Sequence, residues 1–276
     1  KLIRDGPPDP VLRRSQYRPR AFTFAETLAR RYRLSPPPLS PKHLLSWGEG
    51  HRGRLRPLLP TPRPTPGAEV LRLDNMECGY SGDPPVLSDV SFTVREGEIV
   101  VLLGLNGTGK TTLLKCVAGL LHPRRGHILL RGECINRRRP ETLFGRVGLV
   151  FQNPDYQIFE SSVEAECSFC LRKMGFTQSV MEERVNRWLE LLGIIHLKGR
   201  HPMSLSYGEK RRLTLASVLV AEPDLVLLDE PTIALDEENI SSLRRILLTI
   251  SKEHGKALLI TTHDLDFALD VADRLV

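Results

Sequence analysis

The sequence has no apolar run long enough to cross a bilayer. Its longest runs, such as those within Glu98–Leu103 and Leu225–Leu228, are strand-sized, well short of the roughly 18 residues a spanning helix needs. Lys1–Pro10 carries no apolar core of a signal peptide. Cysteine is scarce: Cys78, Cys116, Cys134, Cys167 and Cys170 are an odd number in a chain of 276 residues, which argues against a disulfide framework and for a reduced compartment. Cys167-Ser-Phe-Cys170 has redox or zinc spacing but lacks a second pair and a flanking His, so a structural role is the better reading. No internal repeat is visible after residue 67. With 41% hydrophobic and 26% charged residues, the composition excludes a collagen, a wholly disordered chain and a disulfide-stapled miniprotein.

The net charge of +6 hides two unlike segments. Residues 1–66 hold 14 Lys/Arg against 4 Asp/Glu and 13 of the 21 prolines, whereas residues 67–276 hold 25 against 29. A basic, Pro-rich stretch therefore precedes a slightly acidic globular domain. Pro60-Thr-Pro-Arg-Pro-Thr-Pro66 closes the first segment as a stiff extended spacer. The cluster of Arg13, Arg14, Arg18, Arg20, Arg30, Arg31 and Arg33 could attract nucleic acid or acidic lipid. Only Tyr17, Phe22, Phe24 and Tyr32 accompany it, too few for a stacking platform, and a solvated linker is the expected role.

From residue 67 the pattern is one of strands and helices in alternation. Glu69–Asp74 and Ser88–Arg95 alternate polar and apolar residues, as half-buried strands do. Glu98–Leu103, Leu225–Leu228 and Ala257–Ile260 are continuous apolar runs suited to strands buried on both faces. Helices are expected over Thr111–Leu121 and Ile240–Ser251. Val185, Trp188, Leu189 and Leu192 repeat at helical spacing within a small helical insertion at about 153–203. This order predicts an α/β domain with a mostly parallel sheet.

Gly104-Leu-Asn-Gly-Thr-Gly109-Lys110-Thr111 satisfies G-x-x-x-x-G-K-[ST] between a predicted strand and a predicted helix, the context that makes the motif informative. Glycines let successive N–H groups curl around phosphate oxygens, and the following helix points its positive end at them. Lys110 is expected to reach the β- and γ-phosphates of a nucleotide and Thr111 to ligate Mg²⁺. Asp229, ending the apolar run Leu225–Leu228, suits the magnesium shell, and Glu230 directly after it can act on attacking water.

Leu205-Ser-Tyr-Gly-Glu209-Lys-Arg-Arg212, shortly before that carboxylate pair, resembles the signature motif of ATP-binding cassette (ABC) ATPases. Pro231–Asp236 resembles their D-loop, Gln152 their Q-loop, His263 their switch histidine and Tyr80 the aromatic residue stacked on adenine. The resemblance covers essentially all of 67–276. It implies a P-loop NTPase fold with a mostly parallel sheet, an antiparallel β subdomain and a helical subdomain. It implies ATP and Mg²⁺ as cofactors. ATP would be held by Tyr80, Gly104, Asn106, Gly107, Thr108, Gly109, Lys110, Thr111, Thr112 and Gln152. Magnesium would sit on Thr111, Gln152 and Asp229, with Glu230, His263 and Lys110 catalytic. Ser206 and Gly208 would cap the nucleotide of a second, head-to-tail cassette, with Asp236 in the D-loop between them. Two departures stand out: Tyr207 where the family usually has glycine, and Glu209 where it has glutamine. A carboxylate so close to phosphates should weaken binding unless Lys210, Arg211 or Arg212 offsets it.

Val150-Phe-Gln152-Asn-Pro-Asp-Tyr-Gln157-Ile-Phe159 resembles the corresponding run in the ATPases of energy-coupling factor importers, which take up vitamins or metal ions. That implies a transmembrane coupling subunit and a small membrane substrate-binding subunit as partners, at the cytoplasmic face of a prokaryotic membrane. Leu2–Leu12 looks like the tail of a preceding ABC domain, so residues 1–12 are expected to end a first cassette and 13–66 to link it to a second, truncated one. The alternative is a soluble ABC ATPase acting on ribosomes or nucleic acid through the basic segment. Against it, Lys110 and Asp229 are only 119 residues apart, leaving no room for a coiled-coil insertion, and Pro36-Pro37-Pro38 breaks any long linker helix. No specific nucleic acid is expected.

Overall fold

The structure, a computed structural model, describes residues 67–80 and 83–276. The expected tail at 1–12 and linker at 13–66 lie outside the described residues.

Two sheets organise the domain. Strands β1 (Glu69–Cys78), β2 (Leu87–Arg95), β4 (Arg125–Leu130) and β5 (Glu133–Cys134) form an antiparallel sheet in the order β2-β1-β4-β5. Strands β3 (Ile99–Leu103), β6 (Val147–Val150), β7 (Leu225–Asp229), β8 (Ala257–Thr262) and β9 (Arg274–Leu275) form a parallel sheet in the order β6-β7-β8-β3-β9. The apolar runs read from the sequence are its three central strands. Every residue of β7 and β8 is buried, as a sheet covered on both faces requires. One face, with Val100, Leu102, Leu227 and Leu259, packs against the antiparallel sheet and α1 (Lys110–Val117). The other, with Val101, Val226, Leu228 and Ile260, shares a core with the helical insertion.

In that insertion α2 (Val163–Lys173) and α3 (Gln178–Leu191) precede α4 (Tyr207–Leu219). Met181, Val185, Trp188 and Leu189 form the buried stripe of α3, so Trp188 is core, as its spacing suggests. The next helix, α5 (Glu237–Lys252), is capped by the Asp236 carboxylate, which accepts from the Asn239 N–H at 2.8 Å. The short α6 (Leu265–Val271) leads to β9.

Boundaries depart from the sequence reading: the strand expected at Glu69–Asp74 runs on to Cys78, and the helix expected at Ile240–Ser251 starts at Glu237. The expected helix Thr111–Leu121 ends at Val117, because Gly119 turns left-handed (φ 72°) and the Gly119 and Leu120 N–H groups fold back to Cys116 and Lys115 carbonyls. What positions the site is register: β3 and β8 pair Leu103 with Thr262, and β7 and β8 pair Asp229 with Thr261. The carboxyl ends of three adjacent strands thus meet at one edge, where open parallel sheets bind ligands.

Candidate functional site

The loop after β3 runs directly into α1 through Gly109, whose φ of 94° only glycine adopts cheaply. Lys110 folds back along this loop, its Nζ donating to the Gly104 and Leu105 carbonyls at 2.7 and 3.0 Å. The same ammonium lies 3.2 Å from Glu230 Oε1. Thr111 Oγ1 donates to Asp229 Oδ2 at 2.8 Å, joining α1 to the end of β7. Thr108 Oγ1 closes the loop on the Leu105 carbonyl at 2.8 Å.

Both carboxylates are nearly buried, Asp229 at 4% and Glu230 at 5% exposure. Burial of that degree requires partners. Thr111 and Thr261 supply them for the Asp229 carboxylate, and His263 and Lys110 for that of Glu230, while Thr261, from the neighbouring strand, also ties the two residues together. The Thr261 hydroxyl donates to Asp229 Oδ1 at 2.7 Å and accepts from the Glu230 N–H at 3.2 Å. Glu230 takes a left-handed backbone conformation, φ 46°, a cost of order 1–3 kcal/mol that the surrounding structure must sustain. Its Oε2 faces His263, 2.8 Å from the ring Nδ1 and 3.2 Å from the backbone N–H.

Tyr80, Asn106, Gly107, Gly109, Lys110, Thr111, Thr112, Gln152 and Glu230 line one cavity of about 480 Å³. Eight of the ten expected nucleotide-binding residues of 80–152 thus surround a single space that Glu230 also lines, whereas Gly104 and Thr108 do not line it. Tyr80 is exposed, and Arg124 steadies this stretch by donating to the carbonyls of Tyr80 and, at 2.6 Å, Asp83.

Ser206, Gly208 and Asp236 do not line that cavity. Gly208 instead approaches α5 so closely that a Cβ would fall 2.6 Å from Asn239 Oδ1. Glu209 behaves differently from the sequence-based expectation. Its Oε2 accepts from the Ser206 N–H and hydroxyl, both at 2.8 Å, while the Glu209 N–H donates back to Ser206 Oγ. This is a capping box, and the Ser206 backbone and hydroxyl donors hold the Glu209 carboxyl below its ordinary value. Lys210, Arg211 and Arg212 are committed to Asp155, to the 151–152 carbonyls and Tyr207, and to Asn239. Ser206, rather than those three cations, stabilises the charge.

Three participants escaped the sequence reading. Thr261 and Arg124 act across long sequence separations and belong to no motif. Arg211 sat inside a quoted motif, but nothing in the pattern marked it as buried. Cys167 is fully buried, and burial pushes its thiol up from the ordinary value. Among the described residues no three His, Cys, Asp or Glu side chains cluster to hold a metal by themselves. Hard oxygens from Thr111 and Asp229 suit a magnesium ion that also takes substrate phosphates.

A family model described as ABC transporter matches residues 87–233, more than half of the chain. The energy-coupling factor transporter ATP-binding protein EcfA of Methanoculleus marisnigri is 39% identical over 196 residues, covering 71% of each chain. EcfA2 of Clostridium perfringens is 36% identical over 199 residues, 71% of this chain and 70% of the relative. A relative from Vibrio parahaemolyticus is 35% identical over 218 residues, which are 78% of this chain but only 37% of that protein. Among solved structures, cbiO1 of Clostridium perfringens, part of the ABC transporter complex cbiONQ, superposes with a TM-score of 0.68 at 36% identity, covering 72% of this chain and 80% of that one. The chain belongs to the ABC transporter ATPase family: it binds ATP and hydrolyses it as the ATP-binding part of a transporter.

Proposed function

We propose that this ATPase powers an energy-coupling factor importer for a vitamin or a metal ion. The observation that carries the reading is its likeness to proteins named EcfA and cbiO1 across most of the domain. The Val150–Phe159 run agrees with it.

The residues at the sheet edge divide the work. Lys110 and the N–H groups of 104–112 receive the phosphates. Lys110 Nζ, now bound to two loop carbonyls and facing Glu230, exchanges those contacts for phosphate oxygens when ATP enters. That leaves Glu230 Oε1, which apart from the Lys110 ion pair has no hydrogen-bond donor among the described residues, for the attacking water. His263 holds Glu230 Oε2, fixing the direction in which the other oxygen points. Thr111 and Asp229, with Gln152, hold Mg²⁺, and the ion when bound neutralises charge developing on the phosphates. Tyr80 offers its ring to the adenine.

Ser206 and Gly208, standing outside the cavity, cap the nucleotide of a second ABC domain, whose own signature caps the nucleotide here. Asp236 belongs to the contact between the two. In the tandem reading that domain is in the same polypeptide, with residues 1–12 as its tail. The Vibrio relative, less than half spanned by this match, has room for it.

A transmembrane coupling subunit and a small substrate-binding membrane subunit are the expected membrane partners. An apolar groove of about 300 Å³ beside the helical insertion, with exposed Leu120, Phe144 and Phe159, offers the coupling subunit a seat. Its position next to Gln157 continues the segment that starts at Gln152. No helix among the described residues is long and apolar enough to cross a membrane, so attachment through such a partner at the cytoplasmic face is the proposed location.

The test is purification of the full-length protein from detergent-solubilised membranes with mass spectrometry of what accompanies it. A coupling subunit with a small hydrophobic protein supports the importer. Ribosomal proteins or nucleic acid without a membrane partner would overturn it in favour of a soluble ATPase.

A further inference from the structure

Helix α4 begins with the signature motif, yet three side chains of its first turns reach back to the Q-loop. Tyr207 Oη donates to the Gln152 carbonyl at 3.3 Å. Arg211 donates through Nη1 to the Phe151 carbonyl at 2.7 Å and through Nη2 to the Gln152 carbonyl at 2.5 Å. Its guanidinium carbon lies 5.6 Å from the Tyr207 ring centroid, and Nη2 is 3.3 Å from Tyr207 Oη. Lys210 Nζ contacts Asp155 Oδ1 at 2.8 Å, one turn further along the loop.

Arg211 is 1% exposed. Burying a cation is costly unless charge-assisted hydrogen bonds replace its water. Here carbonyl and phenol oxygens replace it at Nη1 and Nη2, Nε finding no partner among the described residues, and burial pulls its pKa below the ordinary guanidinium value. The identity of those carbonyls is the informative point. A peptide unit is planar, so holding its oxygen holds the whole plane. The Phe151 carbonyl belongs to the plane before the Gln152 Cα, and the Gln152 carbonyl to the plane after it. With both planes held, φ and ψ of Gln152 have little freedom, and the direction of its Cα–Cβ bond is set. Gln152 lines the nucleotide cavity together with Lys110, Thr111 and Glu230.

We propose that Tyr207 and Arg211 are positioning residues for Gln152: by gripping the carbonyls on both sides of its Cα they aim its side chain into the nucleotide cavity. The tyrosine that replaces the usual signature glycine thereby gains a role within its own domain. The other side of the same helix turn binds the D-loop region, since Arg212 Nη2 donates to Asn239 Oδ1 at 2.9 Å and Asn239 Nδ2 donates to Asp236. Movement of the signature is thus linked to Gln152 through one turn of helix. The proposal rests on the reading that Gln152 serves the metal and nucleotide.

The test uses the full chain with Tyr207→Phe, Arg211→Lys, Arg211→Gln and Gln152→Ala. Hydrogen exchange of the amides of 151–153 and 155–157, in nucleotide-free protein, reads the grip without catalysis. Tyr207→Phe removes the Oη bond to the Gln152 carbonyl, together with the one Oη accepts from Arg211 Nη2, and should speed exchange about 2–10-fold or more. Arg211→Gln removes charge-assisted bonds and should speed it about tenfold or more, with Arg211→Lys in between. Unchanged exchange in Tyr207→Phe, which keeps the ring and needs no refolding of the core, would overturn the proposal even where Arg211 variants fail to fold. The Mg²⁺ concentration giving half-maximal ATP turnover reads the aim. It should rise about 2–10-fold in Tyr207→Phe and rise no further when that change is added to Gln152→Ala. Additive effects would overturn the proposal while leaving Gln152 its role. A Gln152→Ala protein with unchanged half-saturation would overturn the reading of Gln152 instead, and the exchange rates then decide the grip by themselves.

Discussion

Thr261→Val probes the account where no motif points. The substitution keeps the shape of a fully buried side chain and deletes one hydroxyl. That hydroxyl is 2.7 Å from Asp229 Oδ1 and accepts from the Glu230 N–H. Asp229, at 4% exposure, cannot recover the lost donor from bulk water. Hydrogen bonds to charged groups contribute about 1.5–3 kcal/mol, and leaving the partner unsatisfied costs its full desolvation. For a domain of this size each kcal/mol moves Tm by about 2–4 °C, so calorimetry should find Tm lower by about 3–12 °C. Turnover carries the sharper signal. A residue that orients a metal-shell carboxylate typically costs about 10–100-fold when lost, so steady-state ATPase should fall by that factor. Thr261→Ser retains the hydroxyl and should keep turnover within about threefold, below the cost of one hydrogen bond to charge. Turnover of Thr261→Val within twofold of wild type would refute the argument that Asp229 depends on its neighbour strand.

Further outcomes follow from the core and from buried charge. Trp188→Ala empties a site of 1% exposure in the helical insertion and should cost about 3–5 kcal/mol, read by urea unfolding. Glu166 is a nearly buried carboxylate on α2 whose Oε2 accepts from the Phe159 and Glu160 N–H groups at 3.0 and 2.8 Å. Desolvation pushes its pKa above the 4.5 of an ordinary glutamate, against the pull of those two donors. A raised acid binds more protons folded than unfolded just above pH 4.5, so its contribution is largest in acid and is lost as pH rises through the folded value. Glu166→Gln keeps an acceptor and removes that dependence. Its Tm should exceed wild type at pH 8 and converge toward it near pH 4.5, and an equal offset at both would contradict the burial argument.

The parts legible in the sequence are those that physics writes into contiguous residues. A phosphate loop needs its glycines, lysine and threonine in a row, and a strand buried on both faces needs an unbroken apolar run. Gly104–Thr111, Leu225–Glu230 and Ala257–His263 therefore read directly, and register pairing of β7, β8 and β3 brought them to one edge. Short strands were harder. Val147–Val150 has four residues, one of them glycine, and leaves no period to detect. Glu209 shows the opposite difficulty. Its charge was visible, but the fate of that charge depended on a helix starting at Tyr207 with Ser206 as its cap, three residues back. Arg211 required knowledge of which helix face met the Q-loop, which only packing supplies.

The central claim is that the edge of the parallel sheet hydrolyses ATP with Glu230 acting on water. The measurement that tests it most directly compares Glu230→Gln with wild type for equilibrium ATP binding and for turnover. Removing a general base lowers rates by about 10²–10⁴-fold, so the account predicts turnover reduced at least about 100-fold with ATP affinity retained. Wild-type-like hydrolysis by Glu230→Gln would contradict it.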